Sequence, residues 1–207
     1  MKRRTPSVAR DRRGAAAIEF AIIAPVMMLM LMGICDLAYQ IYAQSILNGA
    51  VQKAGRDSTV QDAASNATAI DAKVAATLGL IIANLSNNCA AGTGNAAVWC
   101  ATRKNYDTFG AARAEPFTDT NGNGVRDAGE CYTDVNANSQ WDADPGSVGQ
   151  GGANDVTVYT VSVTYPRIFP VATLFGWPTV NKITASTMLK NQPYATQVLT
   201  PSKQVCT

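Results

Sequence analysis

Residues 15–34 read AAAIEFAIIAPVMMLMLMGI, an apolar run that carries one charged side chain, Glu19. At about 1.5 Å of rise per residue, a helix of this length covers about 30 Å, the thickness of the hydrocarbon core of a bilayer. Pro25 removes one backbone hydrogen bond, which membrane helices tolerate. The sequence therefore predicts one membrane-spanning helix over residues 15–35.

The segment before this helix is strongly basic. Of the 17 Lys and Arg residues, six precede Gly14, at positions 2, 3, 4, 10, 12 and 13, and the one acid among them is Asp11. Because short basic segments stay in the cytoplasm, we expect residues 1–14 to be a cytoplasmic leader and residues 36–207 an extracytoplasmic domain. The cations lie beside the apolar run and not on the domain, so nucleic-acid binding is not expected.

Two ordinary explanations of the helix compete with a specialised one. A cleaved secretory signal has a shorter apolar region that closes on a small-residue site, whereas this run continues into Cys35. An uncleaved signal anchor explains the whole segment except Glu19, because a carboxylate in a spanning helix costs on the order of 2–3 kcal/mol to insert. Glu19 therefore requires a partner or a function.

The residues around Glu19 resemble the leader-peptidase site of type IV pilin-like proteins. The string RRGAAAIEF, residues 12–20, has basic residues, a glycine, and a glutamate five positions after it. The resemblance implies cleavage between Gly14 and Ala15. The new α-amino group of one subunit would then be neutralised by the Glu19 carboxylate of a neighbour as the apolar helices bundle.

More narrowly, residues 12–56 resemble the TadE-like family, pseudopilins of the Tad (tight adherence, Flp pilus) apparatus. The family has a glycine-alanine-rich leader site, a spanning helix that begins with glutamate and phenylalanine, and a polar helix that continues from it. Residues 183–193, ITASTMLKNQP, also resemble the closing strand of these proteins. The chain departs from the pattern at Cys35 and in residues 115–152, which look like an insertion.

The resemblance implies a minor pilin or pseudopilin of a Tad-type pilus assembly or secretion apparatus, with roles in cell adhesion and biofilm formation. It implies a single-pass protein of the bacterial inner membrane, with a periplasmic C-terminal domain, that is able to enter a surface pilus. The implied partners are a prepilin peptidase, other pilin or pseudopilin subunits, the inner-membrane assembly platform and the membrane itself. The alternative is a calcium-dependent adhesive or ligand-binding ectodomain on an uncleaved signal anchor.

Catalysis is not expected. The chain has no histidine, which excludes Ser/His/Asp and Cys/His nucleophilic machinery and removes the commonest transition-metal ligand. The four cysteines after Cys35 form no CxxC pair and suit two disulfides in an oxidising compartment. Three connectivities are open, and proximity in sequence favours Cys89 with Cys100 and Cys131 with Cys206.

Beyond the membrane, apolar residues at helical spacing predict that the first helix continues to about Arg56. A second helix is predicted over residues 62–85, with Asp62 as its N-cap. Alternation predicts strands at 156–165 and 180–189, and a short strand around Trp99. The expected fold class is α+β, a small antiparallel sheet packed on helices as in pilins.

Residues 119–130, DTNGNGVRDAGE, match the calcium-loop pattern D-x-[DN]-x-[DN]-G-x5-E in full. Calcium prefers six or seven oxygen ligands, and a glycine at the sixth position lets the chain wrap round the ion. The predicted ligands are Asp119, Asn121, Asn123, the Val125 carbonyl, Asp127 and Glu130. We expect a structural calcium ion that orders the insertion.

The pattern recurs fifteen residues later in a degenerate copy. Its candidate ligands are Asp134, Asn136, Asn138, Gln140, Asp142 and Asp144. Ser139 occupies the turn and Pro145 the place of the closing glutamate, so either Asp144 substitutes or Asp142 reaches into the first loop. Helices are not expected beside the loops, which look like the tandem repeats of dockerin-like and thrombospondin-type segments. The bland alternative is a solvated Asn/Gly-rich acidic loop.

Overall fold

The computed structural model describes residues 13–59, 66–90 and 96–206. The dominant element is the helix α1 (Arg13–Ser58), which runs through Pro25 without a break. The prediction that the first helix continues to about Arg56 is therefore confirmed. The predicted leader up to Arg12 and the predicted N-cap Asp62 lie outside the described residues.

A second helix, α2 (Ala67–Gly79), packs against the distal half of α1 through Ile70, Val74 and Leu78. It ends six residues earlier than predicted. Ile81 and Leu85 still contact the core, but they do so from a turn that includes Asn84 at φ +55°. The chain must reverse here because the next residues, strand β1 (Ser86–Asn87), pair with the main sheet. Hydrophobic periodicity alone does not predict such a reversal.

The main sheet has the strand order β1-β2-β5-β6, with β4 attached to part of β2. Its strands are β1 (Ser86–Asn87), β2 (Val98–Tyr106), β4 (Ser147–Val148), β5 (Val156–Pro166) and β6 (Val180–Lys190). The central pairs, β2 with β5 and β5 with β6, are antiparallel, while β1 runs parallel to β2. The α+β class is confirmed.

One face of the sheet packs on the helices. In β5 the alternate residues from Thr157 to Tyr165 are buried, and β6 contributes Ile183 and Ala185 to the same side. These residues meet Ala43, Leu47 and Val51 of α1 in the core cluster. The period-2 alternation therefore predicted the buried face of both strands correctly.

A two-stranded sheet lies apart from the main one. It pairs β3 (Cys131–Asp134) with β7 (Lys203–Cys206) in antiparallel register, and a disulfide joins Cys131 to Cys206, which are directly opposite each other. The second disulfide joins Cys89 to Cys100. Both disulfides follow the connectivity that proximity in sequence favoured. The Cys131–Cys206 bridge attaches β7 to the acidic insertion.

Candidate functional sites: the apolar helix and the paired acidic loops

The first half of α1 exposes an apolar surface to its surroundings. Its most apolar window is long and hydrophobic enough to cross a membrane, and none of that window is buried against the rest of the chain. Ile22, Met28 and Met30 are each more than 60% exposed. In water such a continuous apolar surface would be unfavourable, so the helix suggests a single membrane span.

Glu19 lies in the second turn of α1, and its side chain is exposed. Among the described residues, none forms an ion pair or hydrogen bond with its carboxylate. Gly14 and Ala15, the residues of the predicted cleavage site, lie in the first turn of the same helix. The described part of the chain therefore leaves this carboxylate available to a group from outside.

The apolar run ends at a buried ion pair. Asp36 of α1 is 5% exposed and accepts a hydrogen bond from Arg167, the residue after β5. Burial raises the pKa of the neighbouring Tyr165 hydroxyl, and the negative charge of Asp36 acts in the same direction. Asp36 therefore ties α1 to the β5–β6 loop.

The first acidic loop folds around the Asp119 carboxylate. Asp119 accepts backbone N–H groups of Gly122, Asn123 and Gly124 at 2.7–3.2 Å. Asn121 and Asn123 direct their side-chain amides at Asp127 Oδ2, at 2.7 and 2.8 Å. Gly124 has φ +77°, as a tight turn at the sixth position requires. The loop thus wraps round the Asp119 carboxylate through its own backbone N–H groups.

The second loop repeats most of this arrangement. Asp134 accepts the N–H groups of Asn138 and Ser139, and Asn136 and Asn138 donate to Asp142 Oδ2 at 2.8 and 2.6 Å. Ser139 adopts φ +61° at the position that Gly124 occupies in the first loop. Asp142 therefore serves its own loop, and the expectation that it reaches into the first loop is wrong.

Each loop is closed by one glutamate carboxylate, and the two glutamates make equivalent hydrogen bonds. Glu130 accepts the backbone N–H groups of Thr120 and Asp127, which are positions 2 and 9 of the first loop. Glu115 accepts the N–H groups of Val135 and Asp142, which are positions 2 and 9 of the second loop. Glu115 is 1% exposed. The glutamate that the second copy lacks is supplied from the segment before the first loop.

A local pseudo-twofold arrangement relates the two repeats. The Thr118 N–H donates to the Cys131 carbonyl, and the Thr133 N–H donates to the Pro116 carbonyl. Arg126 lies over the Tyr132 ring, and its counterpart Trp141 packs edge-on against Phe117. Trp141 also donates its indole N–H to the Glu115 carbonyl at 2.9 Å. The insertion is thus a double loop whose two halves make equivalent contacts with each other.

Asp144 does not close the second loop. Its carboxylate turns toward β2, where Lys104 forms an ion pair with it and the Tyr106 hydroxyl donates to it at 2.7 Å. The hydrogen bond from Lys104 holds the pKa of Asp144 below its usual range. Burial together with the Asp144 hydrogen bond raises the pKa of Tyr106 to about 12. The expectation that Asp144 replaces the closing glutamate is wrong.

The oxygen-rich donor set of each loop fits calcium in chemistry. Within residues 13–59, 66–90 and 96–206, however, no three acidic or cysteine side chains converge closely enough to hold an ion. The amide nitrogens of Asn121 and Asn123 face Asp127, so a half-turn of each amide would be needed to present its oxygen inward. The Val125 carbonyl and the Gln140 carbonyl occupy the seventh position of their loops.

Sequence reasoning missed Glu115, although a signal for it exists. Residues 115–129 read EPFTDTNGNGVRDAG and residues 130–144 read ECYTDVNANSQWDAD. The repeat therefore begins four residues before each loop, and Glu115 corresponds to Glu130. Extending the fifteen-residue period backward would have identified it.

These features suggest a single membrane span in an extended α1, followed by an α+β domain. Residues 14–56 match the family model described as TadE-like protein, and the chain is TadE-like over this segment. The match covers neither residues 183–193 nor the insertion, so the C-terminal part of the resemblance stays a prediction. The similarity over this segment suggests a Tad pilus-associated protein. No curated protein and no solved structure matches the chain.

Proposed function

We propose that this protein is a minor pilin or pseudopilin of a Tad-type pilus assembly or secretion apparatus and has no enzymatic activity. A prepilin peptidase removes residues 1–14, and α1 then holds the mature chain in the bacterial inner membrane with its domain in the periplasm. The inner-membrane assembly platform and other pilin subunits are its partners, and adhesion and biofilm formation are the outputs of the system.

One observation carries this proposal: an exposed apolar helix, matched by the TadE-like model, presents in its second turn a carboxylate that has no partner among the described residues. A charge in this place is unfavourable in lipid unless a cation meets it. The α-amino group of a neighbouring subunit that begins at Ala15 is such a cation. Pairing inside a helix bundle would offset the insertion cost of both charges.

The mature N-terminus tests the cleavage step. Full-length protein is expressed in a cell that carries a Tad system, is purified from the membrane fraction, and its N-terminal peptide is determined by mass spectrometry. We expect the chain to begin at Ala15. A mature chain that retains residues 1–14 would instead support the alternative, a calcium-dependent adhesive or ligand-binding ectodomain on a signal anchor.

The Glu19→Ala variant tests the assembly step. We expect it to insert in the membrane as the wild type does but to be recovered at least tenfold less with other pilin subunits after crosslinking. Gln52→Ala, an exposed polar position on the same helix, is the matched control and should behave as wild type. Equal recovery of the Glu19→Ala and Gln52→Ala variants would contradict the charge-pairing idea.

We further propose that the paired loops bind calcium and that the ion is structural. Asp119, Asn121, Asn123, the Val125 carbonyl, Asp127 and Glu130 would hold the first ion. Asp134, Asn136, Asn138, the Gln140 carbonyl, Asp142 and Glu115 would hold a second one. A bound ion would supply positive charge to carboxylates that are now satisfied by backbone N–H groups, and it would stabilise the insertion.

A calcium titration followed by thermal unfolding tests this proposal. We expect the Tm in millimolar calcium to exceed the Tm in chelator, and calorimetric titration to give two ions per chain. Asp119→Ala and Glu115→Gln should each remove one ion, whereas Lys190→Ala, on an exposed strand end, should remove none. An identical Tm with calcium and with chelator would exclude calcium from both loops.

A further inference from the structure

The loop between β5 and β6 has an unusual composition for a solvent-facing hairpin end. Residues 168–179 read IFPVATLFGWPT and contain no charged side chain. A 3₁₀ turn occupies Pro170–Phe175, and the Gly176 N–H donates to the Thr173 carbonyl. Ile168, Leu174 and Trp177 are 51%, 69% and 59% exposed. A water-exposed loop rarely carries so many large apolar side chains together.

This loop lies beside the membrane-spanning part of α1. An apolar cleft of about 660 Å³ separates them. Its walls include Val26, Met30 and Ile34 from α1 and Phe169, Val171 and Trp177 from the loop. Val26 and Ile34 are about 12 Å apart along the helix axis at 1.5 Å per residue, so the cleft extends over the distal half of the apolar run. The loop is therefore at the depth of the outer leaflet.

The Asp36–Arg167 ion pair fixes the loop at this depth. Arg167 pairs with Asp36, donates its Nε–H to the Pro178 carbonyl at 2.9 Å, and donates its backbone N–H to the Thr179 carbonyl at 3.0 Å. Arg167 therefore joins the two ends of the loop to each other, and its side chain joins them to α1. Next to this point, residues 20–35 of α1 and residues 168–179 of the loop contain no charged side chain.

We propose that residues 168–177 insert into the outer leaflet of the bilayer that α1 spans, as a second membrane-embedded element. Phospholipid acyl chains fill the cleft, and Trp177 lies near the level of the headgroups, where its amphipathic ring is favourable. The 3₁₀ turn satisfies part of the backbone internally, as apolar surroundings require. The inference rests on α1 spanning the membrane and is independent of the pilin assignment, because an uncleaved anchor would hold the loop at the same depth.

Fluorescence quenching by brominated lipid tests the proposal. The full-length protein is reconstituted in vesicles of phosphatidylethanolamine and phosphatidylglycerol whose acyl chains are either unmodified or brominated. The chain has three tryptophans, of which Trp99 is buried in the core. We expect brominated acyl chains to lower the wild-type emission by at least a quarter and to have little effect on Trp177→Phe. Aqueous acrylamide should quench both proteins to a similar extent.

A matched control uses an exposed apolar residue far from the membrane. Val148 is 91% exposed on β4, so Val148→Trp in the Trp177→Phe background should be quenched by acrylamide and not by brominated lipid. Equal lipid quenching of wild type and Trp177→Phe would overturn the proposal. It would also be overturned if Trp177 were shielded from both quenchers and became exposed as the lipid-to-protein ratio rises, because a second copy of the chain would then occupy the cleft.

Discussion

Glu115 shows how one residue can determine the order of a long insertion. Its carboxylate is buried and accepts two backbone N–H groups from the second loop. Removal of the carboxylate leaves both donors without an acceptor, and each such loss costs about 1–3 kcal/mol. We expect Glu115→Ala to lower the free energy of unfolding by about 3 kcal/mol in chelator, measured by urea denaturation.

Glu130→Ala is the paired comparison, because Glu130 makes the same two kinds of bond to the first loop. Its loss should have a similar magnitude. If Glu115→Ala stays within about 0.5 kcal/mol of wild type, the size typical of surface substitutions, the Glu115 carboxylate does not stabilise the second loop.

Tyr106, which donates a hydrogen bond to Asp144 of the insertion, should make the stability of the protein fall at alkaline pH. Its folded-state pKa of about 12 lies above that of an unfolded tyrosine, so its contribution is complete below about pH 10 and is lost as the pH rises toward 12. We expect the urea midpoint of the wild type to fall as the pH rises from about 9.5 to about 11.5. The midpoint of Tyr106→Phe should fall less steeply over the same range. Tyr194→Phe, which changes an exposed ring, should follow the wild type. Parallel curves for all three proteins would contradict this cause.

At the level of single residues, the sequence predicted the parts of the site that are local. Asp119, Gly124 and their neighbours were found because one loop motif contains them all. Glu115 and the true position of Asp144 were not found, because both depend on pairing between segments distant in sequence. The Asp36–Arg167 pair, whose members are 131 positions apart in the sequence, cannot be found from any local pattern for the same reason.

At the level of elements, two glycines of α1 have opposite roles. A Cβ at Gly55 would lie 2.5 Å from Thr187 Cγ2 and 2.9 Å from Leu189 Cδ1, whereas a Cβ at Gly49 would meet nothing within 4 Å. Alanine in a helix is about 1 kcal/mol more favourable than glycine, but overpacking costs about 1–3 kcal/mol. We expect Gly49→Ala to stabilise by about 1 kcal/mol and Gly55→Ala to destabilise by about 1 kcal/mol in urea titrations.

The difference between the two variants is the informative quantity, because both make the same chemical change in the same helix. Equal stabilisation by both would mean that α1 does not pack on β6 as closely as described. The role of Gly55 as a close contact depends on the position of β6, which the sequence of the helix alone does not show.

Elements with a strong internal period were predictable, and those defined by a partner were not. Strands β5 and β6 alternate over eleven residues each, so their buried faces followed from the sequence. Strands β1 and β4 are two residues long and exist only through their pairing with β2. The early end of α2 also depends on a partner, because the chain must leave the helix for β1 to pair with β2.

At the level of the whole molecule, the two disulfides constrain the chain to different degrees. Cys89–Cys100 closes a separation of 11 residues, and Cys131–Cys206 closes one of 75 residues. In the chain-entropy description the shorter loop contributes about 3 kcal/mol and the longer one about 4.5 kcal/mol. The longer bridge also attaches β7, which in the described structure pairs with β3 alone, to the double loop.

We therefore expect the double variant Cys131→Ser/Cys206→Ser to lose more stability than Cys89→Ser/Cys100→Ser, by about 1–2 kcal/mol at pH 7 without reductant. Limited proteolysis separates this loss from general unfolding. Cleavage near residues 195–203 should accelerate strongly in the first variant and little in the second, because β7 leaves its partner once the covalent link is removed. Equal cleavage rates in the two variants would mean that β3 and β7 hold together through backbone pairing, and that the end of the chain is stabilised without help from the bridge.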